Sequence, residues 1–295
     1  MISGYLLLNR NYENDESVKN FYKKNLLPLI VTTEIWIILY NIFLCIYNNT
    51  SIDIHIVIKE MLFFEKVPLK NMWYMPMIIG IYIVIPYIGK ILKNFSLKSL
   101  KIPMLIAFAL SFCLPTINII LKVLKLEQYK SILDISFLGG TYGFYLITAY
   151  FIRQNILKSI KSKWILIASI ISFILSCGIQ LFAHYYSIVY NIWYNSPFIF
   201  ICTVCLFELF TRINCKSIHK WFIKLCTYFS KIALSTFFIH IIIEMILVRY
   251  VKALKCMNPI KVILLFLLSF IVSILTKYIL SKIKIIKEKV LAIKE

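Results

Sequence analysis

Two ionisable residues lie inside a stretch of sequence that is long and apolar enough to cross a bilayer. The stretch covers residues 232–250 and contains His240 and Glu244. Residues four apart share one face of a helix, one turn apart. An ionisable pair at membrane depth is costly unless it faces protein or water. The pair is therefore predicted to serve a functional site, or to lock helix packing through a contact between the two side chains.

Glu34 is the second buried acid that the sequence singles out. It lies about two turns inside an apolar block and has no Lys or Arg three or four residues away. We therefore expect it to find a partner on another helix, for packing or for function. Glu208 and Arg212 are four residues apart near the end of a block, and their spacing predicts an ion pair on one helix.

Two further titratable residues have simpler interpretations. Asp134 opens an apolar block, where the helix dipole favours an acid. His184 ends another block beside Tyr185 and Tyr186, a pattern typical of an aromatic belt at a membrane interface. Cys202 and Cys205 have metal-site spacing, but no second pair or nearby His accompanies them. No metal site is predicted.

The composition predicts an all-α, polytopic transmembrane bundle. The 295 residues are 61% hydrophobic, and the apolar residues fall in blocks of about 18–22, the length that spans a bilayer. We predict about eight full spans, with residues 1–8 as an N-terminal stub, the end of a helix whose beginning lies outside this sequence. The predicted spans are 26–47, 72–89, 103–121, 134–152, 164–184, 197–212, 232–249 and 262–280.

The net charge of +20 belongs to the loops, because the Lys residues lie between the apolar blocks. No basic domain stands outside the spans, so a lipid bilayer is the expected partner and nucleic acid is not. Of the 33 Lys and Arg, 22 fall on the side of residues 9–25 and of the C-terminus. The positive-inside rule places that side in the cytoplasm. We predict one membrane domain over 1–295, ending in a basic cytoplasmic tail at 281–295.

Four stretches, taken in order, resemble the acyltransferase-3 family of integral-membrane O-acyltransferases. They are MISGYLLL followed by FYKKNLLPLI, then NMWYMPMIIGIYIVIP, FLGGTYGFYLITAYFIR and ALSTFFIHIIIE. The resemblance covers most of residues 1–280. It implies about ten spans, an acyl-CoA donor (acetyl-CoA in the first instance) drawn from the cytoplasm, no bound cofactor, and a carbohydrate acceptor at the cell surface or on its way there. The Ile-, Lys- and Asn-rich composition is typical of AT-rich bacterial genomes, so a bacterial plasma membrane is the expected location.

The sequence departs from the family pattern at three points. The family's presumed catalytic His belongs to a first span that this sequence does not contain. Asn71 replaces the His of the family's "HLW" stretch, and Lys23 and Lys24 stand where the family has Arg. His240 falls on the family's C-terminal His. Whether the chain is an active enzyme therefore stays open at this point.

Two functional classes follow. The first is an O-acyltransferase, in the first instance an O-acetyltransferase, acting on a surface carbohydrate. The second is a non-catalytic membrane protein, either a glycan carrier or an interaction subunit, with a functionless remnant as a third reading. For the first class we predict these residues: His240 and Glu34 as catalytic, with Lys23, Lys24, Trp73, Tyr82 and Glu244 as substrate-binding. Lys23 and Lys24 are the expected donor-side cations, and Trp73 and Tyr82 the expected lining of the outer half.

Overall fold

A computed structural model describes residues 1–66, 69–131, 140–190, 193–214, 216, 218–251 and 259–280, with backbone alone at 259 and 276–280. Within these ranges the chain is helical and contains no strand, which confirms the all-α prediction. The α-helices are α1 (Ile2–Leu7), α2 (Asp15–Phe21), α3 (Leu27–Asn48), α4 (Ile54–Met61), α5 (Tyr74–Asn94), α6 (Lys101–Phe108), α7 (Leu114–Val123), α8 (Gly140–Arg153), α9 (Ser162–Tyr185), α10 (Pro197–Thr211), α11 (Lys220–Tyr250) and α12 (Pro259–Leu280).

Five helical segments among the described residues are long and apolar enough to cross a membrane. They are Asp15–Asn48, Lys70–Asn94, Lys101–Val123, Ser162–Tyr185 and Lys220–Tyr250. Pro197–Thr211 and Ile260–Leu275 are shorter apolar helices at two further predicted spans. The remaining predicted span, 134–152, begins outside the described residues. Asp134 and the predicted tail at 281–295 also lie outside the described residues. The count of eight spans therefore stays a prediction.

Two π-helical turns interrupt the long helices, and each is followed at once by a Leu-Pro pair. The turns are Tyr22–Leu26, before Pro28, and Ala109–Cys113, before Pro115. In each, the residue before the proline donates its N–H to the carbonyl five residues back. Proline has no N–H and crowds the carbonyl four residues back, so the helix widens locally and then continues.

The chain divides into two compact units. The first comprises residues 1–17 and 84–214. Its core is an aromatic cluster around Phe112, Phe144 and Phe200, with ring centroids 4.9–5.1 Å apart. In the same unit α1 lies against the backbone of α8, because a Cβ built on Gly4 would stand 2.1 Å from the carbonyl oxygen of Leu146. Only a glycine permits this approach.

The predicted pair of Glu208 and Arg212 is present in the first unit, at 2.6 Å. The pair does not lie on the protein surface, because Glu208 is only 5% exposed. The Arg212 guanidinium also donates to the carbonyl oxygens of Leu157 and Ile160, at 2.5 and 2.7 Å. Arg212 therefore holds the loop between α8 and α9, a role that the helical spacing alone does not indicate.

The second unit comprises residues 18–83 and 215–295. Within it α3 and α11 run parallel, since Tyr40 bonds to the carbonyl of Phe238 and Tyr47 to that of Met245. The segment from Asn71 to Ile83, which includes the first half of α5, runs antiparallel to the helix of Tyr22 and Tyr40, because Tyr22 bonds to the carbonyl of Ile83 and Asn71 bonds to the hydroxyl of Tyr40. α12 runs antiparallel to α11, since Glu244 pairs with Lys261 and Thr236 bonds to Ser273. The rings of Trp36 and Phe238 stack at 4.9 Å in the core of this unit.

Candidate functional site

The seven residues predicted for the site all belong to the second unit. His240 lies in the C-terminal half of α11, and its Nδ1 is 2.5 Å from the carbonyl oxygen of Phe237, one turn earlier. A carbonyl oxygen can only accept, so Nδ1 carries the hydrogen of this bond. In the neutral ring Nε2 is then the proton acceptor. The local helix geometry therefore fixes the tautomer that a general base requires.

Asn71 reaches the same carbonyl from another element. It lies in the 3₁₀ turn Lys70–Trp73 that leads into α5, and its Nδ2 is 3.2 Å from the carbonyl oxygen of Phe237. The same Nδ2 is 3.5 Å from the hydroxyl oxygen of Tyr40. Tyr40 is fully buried in α3 and donates to the carbonyl of Phe238 at 2.5 Å. Three side chains, one each from α3, the 3₁₀ turn and α11 itself, therefore hydrogen-bond to two successive carbonyls of α11.

One acceptor in this group is unsatisfied. The Oδ1 atom of Asn71 is buried and makes no hydrogen bond within the described ranges. Buried polar atoms are nearly always paired, so such an orphan needs an explanation. A hydroxyl or amide of a bound molecule would supply the missing donor. We refer to Tyr40, Asn71 and His240 together as the α11 polar cluster.

Glu244 has a different partner from the one that its spacing suggests. Its Oε1 accepts from the Lys261 ammonium at 2.9 Å, so the pair joins α11 to the first turn of α12. Lys261 is only 3% exposed. The predicted packing contact between His240 and Glu244 is thus replaced by a hydrogen bond from His240 to backbone and an ion pair from Glu244 to Lys261. Lys261 was not predicted as a site residue, because the last predicted span, 262–280, begins one residue after it.

Glu34 does not lie beside His240. Because α3 and α11 run parallel with the register that Tyr40 and Tyr47 set, Glu34 is level with Ile232. Ile232 precedes His240 by eight residues, or about 12 Å along the helix axis. Glu34 is half-buried at that level. It therefore belongs to the same helix pair as the α11 polar cluster, but not to the cluster itself.

Lys23 and Lys24 are exposed on the π-helical turn at the start of α3. The same register places this turn about 25 Å along the axis from the level of His240. Tyr82 is at the same end, since its ring centroid is 6.1 Å from that of Phe21. Trp73 lies two residues after Asn71 and packs edge-on against Tyr74 at 6.1 Å. Of the two predicted aromatic lining residues, Trp73 therefore adjoins the cluster, and Tyr82 adjoins the π-helical turn.

The fold and the site define a polytopic helical membrane protein with a half-buried histidine and a half-buried amide between helices of its second unit. The sequence model of the acyltransferase-3 family, described as an acyltransferase domain, matches residues 1–280. The chain therefore belongs to the acyltransferase-3 family, as the four resembling stretches predict. Comparisons with curated proteins and with solved structures found no match.

Proposed function

We propose that this protein is an O-acyltransferase that moves an acyl group, in the first instance acetyl, from cytoplasmic acyl-CoA to a hydroxyl of a carbohydrate at the cell surface or on its way there. The observation that carries the proposal is the family match over residues 1–280. The α11 polar cluster supports it, because a His with its Nδ1 hydrogen committed to a carbonyl leaves Nε2 to accept a proton.

In the proposed reaction His240 is the general base. Nε2 takes the proton of the acceptor hydroxyl, and the oxygen attacks the thioester carbonyl carbon. The carbon–sulfur bond then breaks, the acyl group stays on the sugar oxygen, and the CoA thiolate leaves with the proton from His240. Asn71 Oδ1 would hold a substrate N–H or O–H, which satisfies its missing hydrogen bond.

The donor is proposed to enter from the π-helical end. Lys23 and Lys24 supply two exposed cations there, suited to the phosphates of CoA. The distance of about 25 Å from this turn to the level of His240 would have to be spanned by the pantetheine arm. Glu34 lies between the two levels and is proposed to contact the donor along this path.

Membranes that contain the protein, given acetyl-CoA labelled in the acetyl group, test the proposal. Label should enter the surface carbohydrate and be released by mild base, which cleaves esters. Membranes without the protein provide the control. Movement of the carbohydrate across the membrane with no consumption of acetyl-CoA would instead identify a carrier and contradict the proposed transfer.

A further inference from the structure

The short helix α4 belongs to the second unit and lies in a segment that the predicted spans 26–47 and 72–89 leave outside the bilayer. The stretch from the start of α4 to the residues just after it leaves six large apolar side chains exposed. They are Ile54, Ile56, Ile58, Leu62, Phe63 and Phe64. Single exposed apolar residues are ordinary, but a run of this density marks a contact surface. Such a surface is covered by protein or by lipid in the native environment.

Three of these side chains form a stripe along α4. Residues four apart lie one above the other on a helix, so Ile54, Ile58 and Leu62 share one flank. His55 and Lys59 form a second stripe beside the first, and both are exposed. An apolar stripe next to a basic one is typical of helices that lie in the plane of a membrane interface.

The face of α4 that meets the protein includes a buried carboxylate. Glu60 is only 4% exposed, and its Oε2 accepts from Asn41 Nδ2 at 2.6 Å. Met61, next to it, packs against the core cluster of the second unit. A helix on a water-facing surface turns its carboxylates outward and its apolar residues inward. The carboxylate of α4 is turned inward and its isoleucines outward, the orientation expected where the surroundings are apolar.

Asn41 fixes the depth at which α4 is held. It precedes Asn48, the last residue of α3, by seven residues, or about 10 Å along the helix axis. The segment Asp15–Asn48 is long and apolar enough to cross a membrane. Interfacial helices bury their apolar face roughly 5–10 Å below the headgroup boundary. The bond between Asn41 and Glu60 therefore holds the end of α4 at the depth of a leaflet, not in the water beyond it.

The end of α4 adds an exposed aromatic ring. Phe63 has a φ of 57°, and the N–H of Phe64 bonds to the carbonyl of Lys59 at 2.9 Å. This left-handed ending closes the helix and fixes the backbone of both phenylalanines. The Phe64 ring is 81% exposed. A fixed backbone that presents an apolar ring with little protein contact is unfavourable in water and suited to a lipid surface.

We propose that α4 and the two phenylalanines after it lie in the leaflet at the C-terminal end of α3. The stripe of Ile54, Ile58 and Leu62 contacts the acyl chains, and the basic stripe lies toward the headgroups. The positive-inside rule assigns this leaflet to the outer side. Lipid is favoured over a protein partner, because a buried polar bond holds the stripe at membrane depth. The inference does not involve acyl transfer, so its test is independent of the proposed function.

Cysteine accessibility in the full chain tests this placement. Ile58→Cys and Lys59→Cys change neighbouring exposed residues of α4, one on each stripe. Each protein is held as a single copy in a nanodisc of phosphatidylethanolamine and phosphatidylglycerol, which leaves both bilayer faces open to a charged maleimide. The wild type gives the background from the native cysteines. Lys59→Cys should react about tenfold faster than Ile58→Cys or more, because the reactive thiolate forms in water and not in hydrocarbon.

The same comparison in cell membranes separates lipid from protein. Slow reaction of Ile58→Cys in both settings supports the inference, whereas fast reaction in single-copy nanodiscs alone would show that a protein or a second copy covers the stripe, and would overturn it. Equal, fast reaction of both variants would put the stripe in water and overturn it too. Slow reaction of both would contradict the orientation. His55→Cys and Leu62→Cys repeat the test one turn away, so a folding defect in one variant does not prevent it.

Discussion

Asn71 and His240 donate hydrogen bonds to the same carbonyl oxygen, that of Phe237, at 3.2 and 2.5 Å. The two residues are far apart in the sequence and belong to different helical elements. The resemblance of the four stretches to the family predicts a histidine at the first position, where this chain has an amide, and a histidine at the second, as here. The shared carbonyl couples the two positions, so a change at either one alters the surroundings of the other.

Replacing Asn71 separates a binding role from a packing role. Asn71→Leu removes two donated hydrogen bonds and also an unsatisfied buried acceptor, so the two effects on stability should largely cancel. If Oδ1 holds substrate, kcat/KM for transfer should fall about tenfold. Tyr47→Phe is the matched control, since it removes a hydrogen bond from α3 to α11 outside the cluster, and it should lower the free energy of unfolding by about 1 kcal/mol and leave transfer intact. Unchanged transfer in Asn71→Leu would refute the role of Oδ1.

Because Glu244 and Lys261 form an ion pair, replacing Lys261 alone should destabilise the protein more than replacing both residues. Lys261→Met should destabilise the protein by about 2–3 kcal/mol, because Glu244 loses its ammonium partner. A double variant with Leu at 244 and Met at 261 should recover most of that loss. Thermal melting in detergent measures both. A double variant that melts lower than Lys261→Met would show that the pair does not act as a unit.

Replacing Gly4 with a larger residue should disturb the packing of α1 against α8. Gly4→Ala puts a Cβ against the backbone of Leu146, so α1 must shift, at a cost of about 2–3 kcal/mol. Gly178→Ala is the matched control in the same unit, because nothing lies within 4 Å of a Cβ built there. It should be neutral or stabilise the helix. Equal melting temperatures for the two variants would contradict the close approach.

Glu60 predicts a dependence of stability on pH. It is almost fully buried in α4 and accepts from Asn41 Nδ2 at 2.6 Å. Burial raises the pKa of the Glu60 carboxyl, the hydrogen bond from Asn41 lowers it, and the charge of Glu65 raises it, with a net rise above the usual 4.5. The pKa of Glu60 is higher in the folded chain than in the unfolded chain. The contribution of Glu60 to the free energy of unfolding is therefore fully present below its usual pKa, and it declines as the pH rises toward the pKa in the folded chain.

Glu60→Gln checks this dependence. The amide keeps an acceptor for Asn41 but cannot ionise, so the variant should lose the part of the decline in melting temperature that begins above about pH 4.5. Melting curves of the two proteins over a pH series measure the difference. Parallel curves would show that Glu60 ionises equally well in the folded and unfolded chain.

The sequence predicts those features that depend on local pattern and misses those that depend on contacts. Apolar blocks predict the helices, and the four-residue spacing predicts the pair of Glu208 and Arg212. The same spacing favours a contact between His240 and Glu244, but backbone geometry and Lys261 supply better partners. Tyr40 gave no sequence signal, because its role comes from the parallel register of α3 and α11.

The two π-helical turns could be predicted from the sequence. Each precedes a Leu-Pro pair within a continuous apolar helix, and proline chemistry accounts for the widening. The cavity at the C-terminal end of α9, by contrast, was not predictable from the sequence. His184 and its neighbouring tyrosines fit an aromatic belt by pattern, and only the chain reversal at Ser187 brings Gln180 and Tyr190 to the same cavity.

The rate of acetyl transfer from labelled acetyl-CoA by His240→Ala, beside the wild type at equal folded concentration, tests the central claim most directly. Loss of a general base should lower kcat by about 10²–10⁴-fold. The native melting temperature of His240→Gln, whose side chain can still donate to the carbonyl of Phe237, guards against a folding defect. A folded His240→Ala protein that transfers acetyl at the wild-type rate would contradict the claim that His240 is the base.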